Sequence, residues 1–125
     1  MIALDSSALI AYLQGDPGAV TDAVEIVLGE RQACLPPVVL TEVLSDPQLP
    51  DEVAELLRAL PLLLPTDGYW DRAGTLRRAL LAHGRKARLA DTLITQSCLD
   101  HNVSLVTADA DFKVLAKRSG LRLLP

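Results

Sequence analysis

The residues best suited to chemistry in this sequence are four acidic side chains near the ends of predicted strands or within predicted helices. They are Asp5, Glu42, Asp91 and Asp109. Carboxylate oxygens are hard ligands that suit Mg²⁺ or Mn²⁺. A bound ion of this kind polarises a phosphodiester, stabilises its developing charge and supplies an activated water. The pattern indicates phosphodiester hydrolysis, and the sequence has no GxGxxG or GxxxxGK[ST] motif that would indicate nucleotide binding.

The first and last of these acids follow predicted strands. Asp5 comes directly after the first apolar run, and Asp109 and Asp111 come shortly after a later one. An aspartate at such a position often only caps the next helix. That interpretation is weakened for Asp5, because Ser6 and Ser7 follow it and are able to cap. In the second cluster two acids compete for one cap, so one of them is not needed for structure.

The other two acids lie within predicted helices. Asp91 is in a first helical turn, where the helix dipole favours acids by roughly 0.3–1 kcal/mol, so alone it would be interpreted as structural. Glu42 shares a helix face with Val39 and Val43. A partly buried carboxylate there would need a cation or a hydrogen-bond donor, and a flexible Glu42 reaching into solvent is equally consistent with the segment. The presence of all four acids in one small domain favours a shared site.

Short apolar runs alternate with helical periodicity along the whole chain. The predicted strands are Met1–Leu4, Ala33–Leu35, Leu62–Leu64, Ser104–Val106 and Arg122–Leu124. The predicted helices are Ser6–Leu13, Pro17–Leu28, Pro37–Ser45, Asp51–Leu60, Gly68–His83, Ala90–His101 and Asp111–Ser119. This alternation predicts one α/β domain over residues 1–125, with a largely parallel sheet and right-handed connections. In such sheets the ligand crevice lies beyond the carboxyl ends of the strands.

Composition narrows the class of protein. Half of the 125 residues are apolar, which is enough for a core without disulfides or structural metals. The net charge of −4 argues against a protein that simply coats nucleic acid. It does not exclude a nuclease, because a centre that holds divalent cations needs surplus carboxylates. Cys34 and Cys98 are isolated in apolar segments and are expected to be reduced core thiols.

The sequence carries no targeting or membrane signal that we recognise. Its N-terminus lacks the basic segment and apolar stretch of a signal peptide. No apolar run approaches the roughly 20 residues that span a bilayer. We therefore expect a cytoplasmic protein without a membrane partner.

Four segments of the chain resemble the PIN-domain ribonucleases, particularly the VapC-type toxins of bacterial toxin–antitoxin pairs. The segments are Ile2–Ala11, Thr41–Val43, Leu89–Ile94 and Leu105–Phe112. They occur in the family's order and at its usual intervals, and together they span nearly the whole chain. No single segment is specific, but the four together are a strong signal.

The resemblance implies a PIN-like α/β fold, a three-layer α/β/α sandwich around a short, mostly parallel sheet of four to five strands. It implies Mg²⁺- or Mn²⁺-dependent cleavage of RNA. It also implies a homodimer and a cognate antitoxin whose tail fills the acidic pocket, often with an arginine. The segment Ser45–Pro50 is shorter and more broken than in many relatives, which leaves the shape of the substrate groove open.

The resemblance also assigns roles to individual side chains. Carried over position by position, the metal-binding and catalytic acids are Asp5, Glu42, Asp91 and Asp109. Asp5 and Asp91 would be the principal ligands, whereas Asp111 would act more weakly or through water. Ser7 and Thr107 would orient carboxylates or a metal-bound water.

Two other classes of protein compete with this one. A non-catalytic PIN-like module that binds RNA or a protein is the main alternative, and an incomplete set of acids would favour it. A receiver domain phosphorylated on aspartate is set aside, because it needs a lysine after the fifth strand and Arg122–Pro125 offers none.

Basic and aromatic residues leave further interpretations open. The segment 85–88 carries three cations just before Asp91, and Arg77 and Arg78 lie on the preceding helix. They either contact RNA phosphates or form a solvated basic surface. The pair Tyr69-Trp70 fits packing or a dimer contact better than base stacking.

Overall fold

The computed structural model describes all 125 residues. The strands are β1 (Ile2–Leu4), β2 (Ala33–Cys34), β3 (Ser104–Val106) and β4 (Leu123–Leu124). The helices are α1 (Ser6–Leu13), α2 (Ala19–Gly29), α3 (Pro37–Leu44), α4 (Asp51–Arg58), α5 (Tyr69–Ala82), α6 (Leu89–Asp100) and α7 (Asp111–Ser119). Four of the five predicted strands and all seven predicted helices form, which confirms the α/β class.

The sheet is entirely parallel. Its strand order is β2-β1-β3-β4, so β1 and β3 are the central pair. Leu4, the last residue of β1, pairs with Val106, the last residue of β3. The chain therefore leaves both central strands at the same edge of the sheet, where the crevice of an open parallel sheet is expected.

The prediction of a strand at Leu62–Leu64 is wrong. Only Leu62 makes a strand-like contact, an isolated parallel bridge to Leu35. Pro61 and Pro65 flank this short apolar run, and proline has no N–H group to extend a ladder of hydrogen bonds. The expected sheet of four to five strands is therefore a sheet of four.

Both faces of the sheet are covered. Ala3 and Leu4 are adjacent in β1, and Leu105 and Val106 are adjacent in β3, and all four are fully buried. Because successive side chains of a strand point to opposite faces, burial of both neighbours means that helices pack on each side. The predicted three-layer sandwich is confirmed.

The starts of two helices differ from the prediction. Helix α2 begins at Ala19 rather than Pro17, and α5 begins at Tyr69 after Gly68, whose backbone is in the left-handed conformation with a φ of 81°. Gly68 occupies the cap position of α5, and no side chain caps this helix.

The structure also tests the expectations for the two cysteines and for the pair Tyr69-Trp70. Cys34 and Cys98 are buried free thiols, as the sequence predicted. Tyr69 is buried and donates a hydrogen bond of 2.8 Å to the carbonyl of Leu93, which is a packing role, whereas its neighbour Trp70 is 66% exposed. None of the helices combines the length and the apolar composition that crossing a membrane requires.

Candidate metal centre

The site begins where β1 and β3 end. Asp5 is the first residue after β1, and its backbone N–H donates a hydrogen bond of 3.2 Å to the carbonyl of Val106. Thr107 is the first residue after β3. The parallel register thus brings together two polar side chains that are 102 residues apart in the sequence.

Asp5 is almost completely buried, with 2% of its surface exposed. Its Oδ1 accepts hydrogen bonds from the Ala8 amide at 2.9 Å and from Ser7 Oγ at 2.8 Å, and its Oδ2 accepts one from Thr107 Oγ1. Burial raises the pKa of Asp5, and these three donors oppose the rise. The bond to Ala8 makes Asp5 the cap of α1, so the expectation that a following serine would cap this helix is wrong.

Ser7 and Thr107 also hold the loop that follows β3. Ser7 Oγ accepts a hydrogen bond from the Ala108 amide, and Thr107 Oγ1 accepts one from the Asp109 amide, both at 3.0 Å. Each hydroxyl therefore joins Asp5 to the loop that carries Asp109. These contacts fit the orienting role expected of the two hydroxyls.

Three carboxylates crowd together beside this pair of strand ends. Asp91 in the first turn of α6, Asp109 in the loop and Asp111 at the start of α7 each offer an oxygen, and these oxygens lie within 4.8 Å of one another. Asp109 Oδ1 accepts a hydrogen bond from the Asp111 amide at 2.9 Å. Asp109 thus serves the start of α7, and Asp111 is the acid not needed for that purpose. We call these three residues the acid trio.

Partial burial and the nearby carboxylates change the pKa of Asp91. Its pKa is raised from 3.8 to about 6, first by desolvation and then by the negative charge of Asp109. Arg88 lowers the pKa, while Glu42 and Asp111 raise it further. A carboxylate that is partly desolvated among other carboxylates is stabilised by a cation.

Glu42 is exposed, which differs from one of the two expectations for it. Val39 and Val43 are buried and form the apolar stripe of α3, whereas Glu42 lies at the flank of that stripe and reaches solvent. Its Oε1 accepts a hydrogen bond of 3.2 Å from Ser6 Oγ. Glu42 remains close enough to the trio for its charge to raise the pKa of Asp91.

The structure therefore brings the predicted acids together unevenly. Asp91 and Asp109 are in the trio, Asp5 is joined to Asp109 through Thr107, and Glu42 faces the same group from α3. Asp111, which was expected to act weakly, is a full member of the trio. Ser6 was expected only as a helix cap and was missed as the donor to Glu42, although its position next to Asp5 was a usable signal.

The donor set fits a hard divalent cation. The trio offers three carboxylate oxygens and contains no histidine or cysteine, which suits Mg²⁺ or Mn²⁺ better than zinc. The two cations near the trio, Lys86 and Arg88, lie 3.3 Å and 3.8 Å from the single oxygen Asp111 Oδ2. No ion pair of this kind neutralises Asp91 or Asp109.

Comparison with known proteins identifies the class. The model of the PIN domain family matches residues 2–118, so the chain belongs to the PIN-domain family. Among proteins with curated functions, none matches the sequence.

Two solved structures resemble this fold over nearly its full length. One is VapBC2 from Rickettsia felis bound to a DNA fragment from its promoter, with a TM-score of 0.76, 21% identity and coverage of 98% of this chain and 97% of that chain. The other is VapBC-5 from Mycobacterium tuberculosis, a member of the VapBC family of toxin–antitoxin systems, with a TM-score of 0.69, 20% identity and coverage of 98% and 96%. The fold is that of VapC-type PIN domains.

Proposed function

We propose that this protein is a Mg²⁺- or Mn²⁺-dependent endoribonuclease that hydrolyses RNA phosphodiester bonds, and that it is the toxin of a VapBC-type toxin–antitoxin pair. The observation that carries the proposal is the acid trio at the carboxyl edge of the central strands of a PIN domain. No other feature of the chain combines clustered hard ligands with a raised carboxylate pKa.

In this proposal Asp91 and Asp109 hold the ion with Asp5, and Glu42 and Asp111 complete the negative environment. A bound ion would supply an activated water and stabilise negative charge on the phosphate. Three donors engage the Asp5 carboxylate, and Ser7 Oγ lies within hydrogen-bond distance of both of its oxygens. Ser7 and Thr107 keep its two oxygens oriented.

An antitoxin is the protein partner in this proposal. Both similar structures are toxin–antitoxin complexes, and a partly exposed group of carboxylates is a suitable receptor for an arginine, whose planar guanidinium binds carboxylates through paired hydrogen bonds. The predicted homodimer has no support beyond the resemblance and stays a prediction.

The test uses purified protein that is free of any antitoxin. We expect the wild type to cut RNA with Mg²⁺ or Mn²⁺, to stop when EDTA is added, and to bind Mn²⁺ in a calorimeter. Asp5→Asn should lose cleavage while its circular dichroism spectrum stays native, because asparagine can still accept a hydrogen bond from the Ala8 amide.

Asp22→Asn is the matched control, since Asp22 is an exposed acid in the first turn of α2 and should change neither cleavage nor Mn²⁺ binding. If the wild type binds no divalent ion and cuts no RNA, the proposed enzymatic function is wrong, and a non-catalytic PIN-like module becomes the better interpretation.

A further inference from the structure

A short basic segment lies between α5 and the acid trio. Arg85, Lys86 and Arg88 are all exposed, whereas Ala87 among them is buried. The carbonyl of Ala87 accepts a hydrogen bond of 2.9 Å from Arg77 Nε. This anchor fixes the middle of the segment to α5 and leaves its cations at the surface. We call residues 85–88 the basic arm.

The arm touches the trio through Asp111. Lys86 Nζ and Arg88 Nη2 share the oxygen Asp111 Oδ2, at 3.3 Å and 3.8 Å. The side chains of Lys86 and Arg88 are 63% and 57% exposed, and that of Asp111 is 42% exposed. Exposed ion pairs of this kind add little stability, so the two cations can change partners at small cost.

The arm continues into an open groove on α5 whose lining combines two arginines with apolar residues. This groove has a volume of about 620 Å³, and its walls include Arg77, Arg78 and Leu89. Leu89 directly follows Arg88, so the groove adjoins the arm. An open basic surface that begins at an acidic catalytic centre complements a flexible polyanion, because cations that contact phosphates supply most of the sequence-independent affinity for nucleic acid.

We propose that Lys86 and Arg88 are substrate-binding residues that leave Asp111 to hold an RNA phosphate beside the scissile bond, with the strand continuing over Arg77 and Arg78. This inference rests on the proposed nuclease function. In the free protein Asp111 keeps the two cations next to the trio, where the incoming phosphodiester must lie. Because the net charge of −4 works against attraction of the whole protein to RNA, local cations beside the trio would favour binding.

The test measures cleavage of a single-stranded RNA over a range of salt concentrations, with Mn²⁺ binding measured in parallel. Lys86→Ala combined with Arg88→Ala should raise KM by roughly 10-fold and leave kcat within about twofold, because lost phosphate contacts weaken substrate binding alone. The slope of log kcat/KM against log salt should become shallower by about 1.4, since each contact to a single strand contributes about 0.7. The variant should still bind Mn²⁺, and its Tm should match the wild type.

Two further variants sharpen the interpretation. Lys117→Ala combined with Arg118→Ala removes the same charge from exposed positions in the last turn of α7 and should leave KM and the salt slope close to wild type. Lys86→Arg combined with Arg88→Lys preserves the charge and should keep the salt slope.

Each other outcome has a defined meaning. If the wild type cuts RNA but the double alanine variant keeps its KM and salt slope, or loses kcat instead, the inference about the arm is wrong and the nuclease stands. If the wild type neither binds Mn²⁺ nor cuts RNA, the proposed function and the inference both fail.

Discussion

The two ends of α6 carry aspartates in opposite situations. Asp91, in the first turn, lies among other carboxylates, and its pKa is raised to about 6. Asp100, at the last turn, accepts hydrogen bonds from Arg72 Nε at 3.0 Å and Arg72 Nη2 at 2.7 Å, and further ones from Gln96 and Thr66. The bonds from Arg72 are the main reason that the pKa of Asp100 is lowered.

The helix alone would produce the reverse order. Its dipole favours a negative charge at the N-terminal end and disfavours one at the C-terminal end. Tertiary neighbours override this local effect at both ends. Asp100 is a paired carboxylate that stabilises the packing of α5 on α6, whereas Asp91 is an unpaired carboxylate whose ionised form is held at a cost in folding free energy. Such an arrangement is typical of a functional site.

The largest contrast should appear in catalysis. Asp91→Asn removes a proposed metal ligand and should lower kcat/KM for RNA by at least about 100-fold, since even the partners that orient ligands typically account for roughly 10–100-fold. Asp100→Asn makes the same chemical change at the other end of the same helix and should leave kcat/KM within about twofold. Equal losses in the two variants would mean that Asp91 acts only through the fold.

We expect a smaller difference between substitutions of two threonines, one beside the acid trio and one beside Asp100. Thr107 donates to Asp5, and Thr66 donates to Asp100 at 3.4 Å. Thr107→Ala should reduce Mn²⁺ affinity and cleavage by roughly 10–100-fold, as expected for a residue that orients a ligand. Thr66→Ala should change neither. Thr107→Ser retains the hydroxyl and should restore most of the metal affinity, which a purely structural role in packing the threonine methyl would not predict.

The smallest contrast should appear in thermal stability without metal. At neutral pH in EDTA, Arg72→Ala should lower Tm by several degrees, while Asp91→Asn should raise it by about 2–5 °C for a domain of this size. Arg72→Ala removes the cation that stabilises Asp100, whereas Asp91→Asn removes a negative charge that neighbouring carboxylates repel. The two changes in Tm therefore have opposite signs. Differential scanning fluorimetry measures both, and a lower Tm in metal-free Asp91→Asn would contradict the comparison.

Measuring Tm across pH distinguishes Asp91 from Asp100, because their contributions to stability change with pH in opposite directions. Because the folded pKa of Asp91 is raised from 3.8 to about 6, its contribution to stability is full below about pH 4 and is lost as pH rises through 6. The gain from Asp91→Asn should therefore disappear near pH 4. Asp100 has a lowered pKa, so its contribution is present above about pH 4 and is lost as pH falls through the folded value. The loss from Arg72→Ala should shrink only in that acidic range.

The sequence by itself determined the arrangement of the elements. Apolar runs and helical periodicity indicate which residues are buried in each element, and strands that alternate with helices usually pair in parallel. Asp5 and Asp109 could therefore be placed at one edge of the sheet from the order of strands and helices alone, and the resemblance of four segments added Glu42 and Asp91. The misplaced strand at Leu62–Leu64 arose because an apolar run flanked by prolines has the composition of a strand without the donors to extend one.

Only the tertiary structure decided how the charges meet. The distances among Asp91, Asp109 and Asp111 depend on loop conformation and on side chains brought from distant parts of the chain, such as Thr107 against Asp5 and Lys86 against Asp111. Periodicity reports the face on which a residue lies, but it carries no information about which charge from another element will face it. That is why burial along the chain was largely predictable, while the membership of the trio and the pKa of each acid were not.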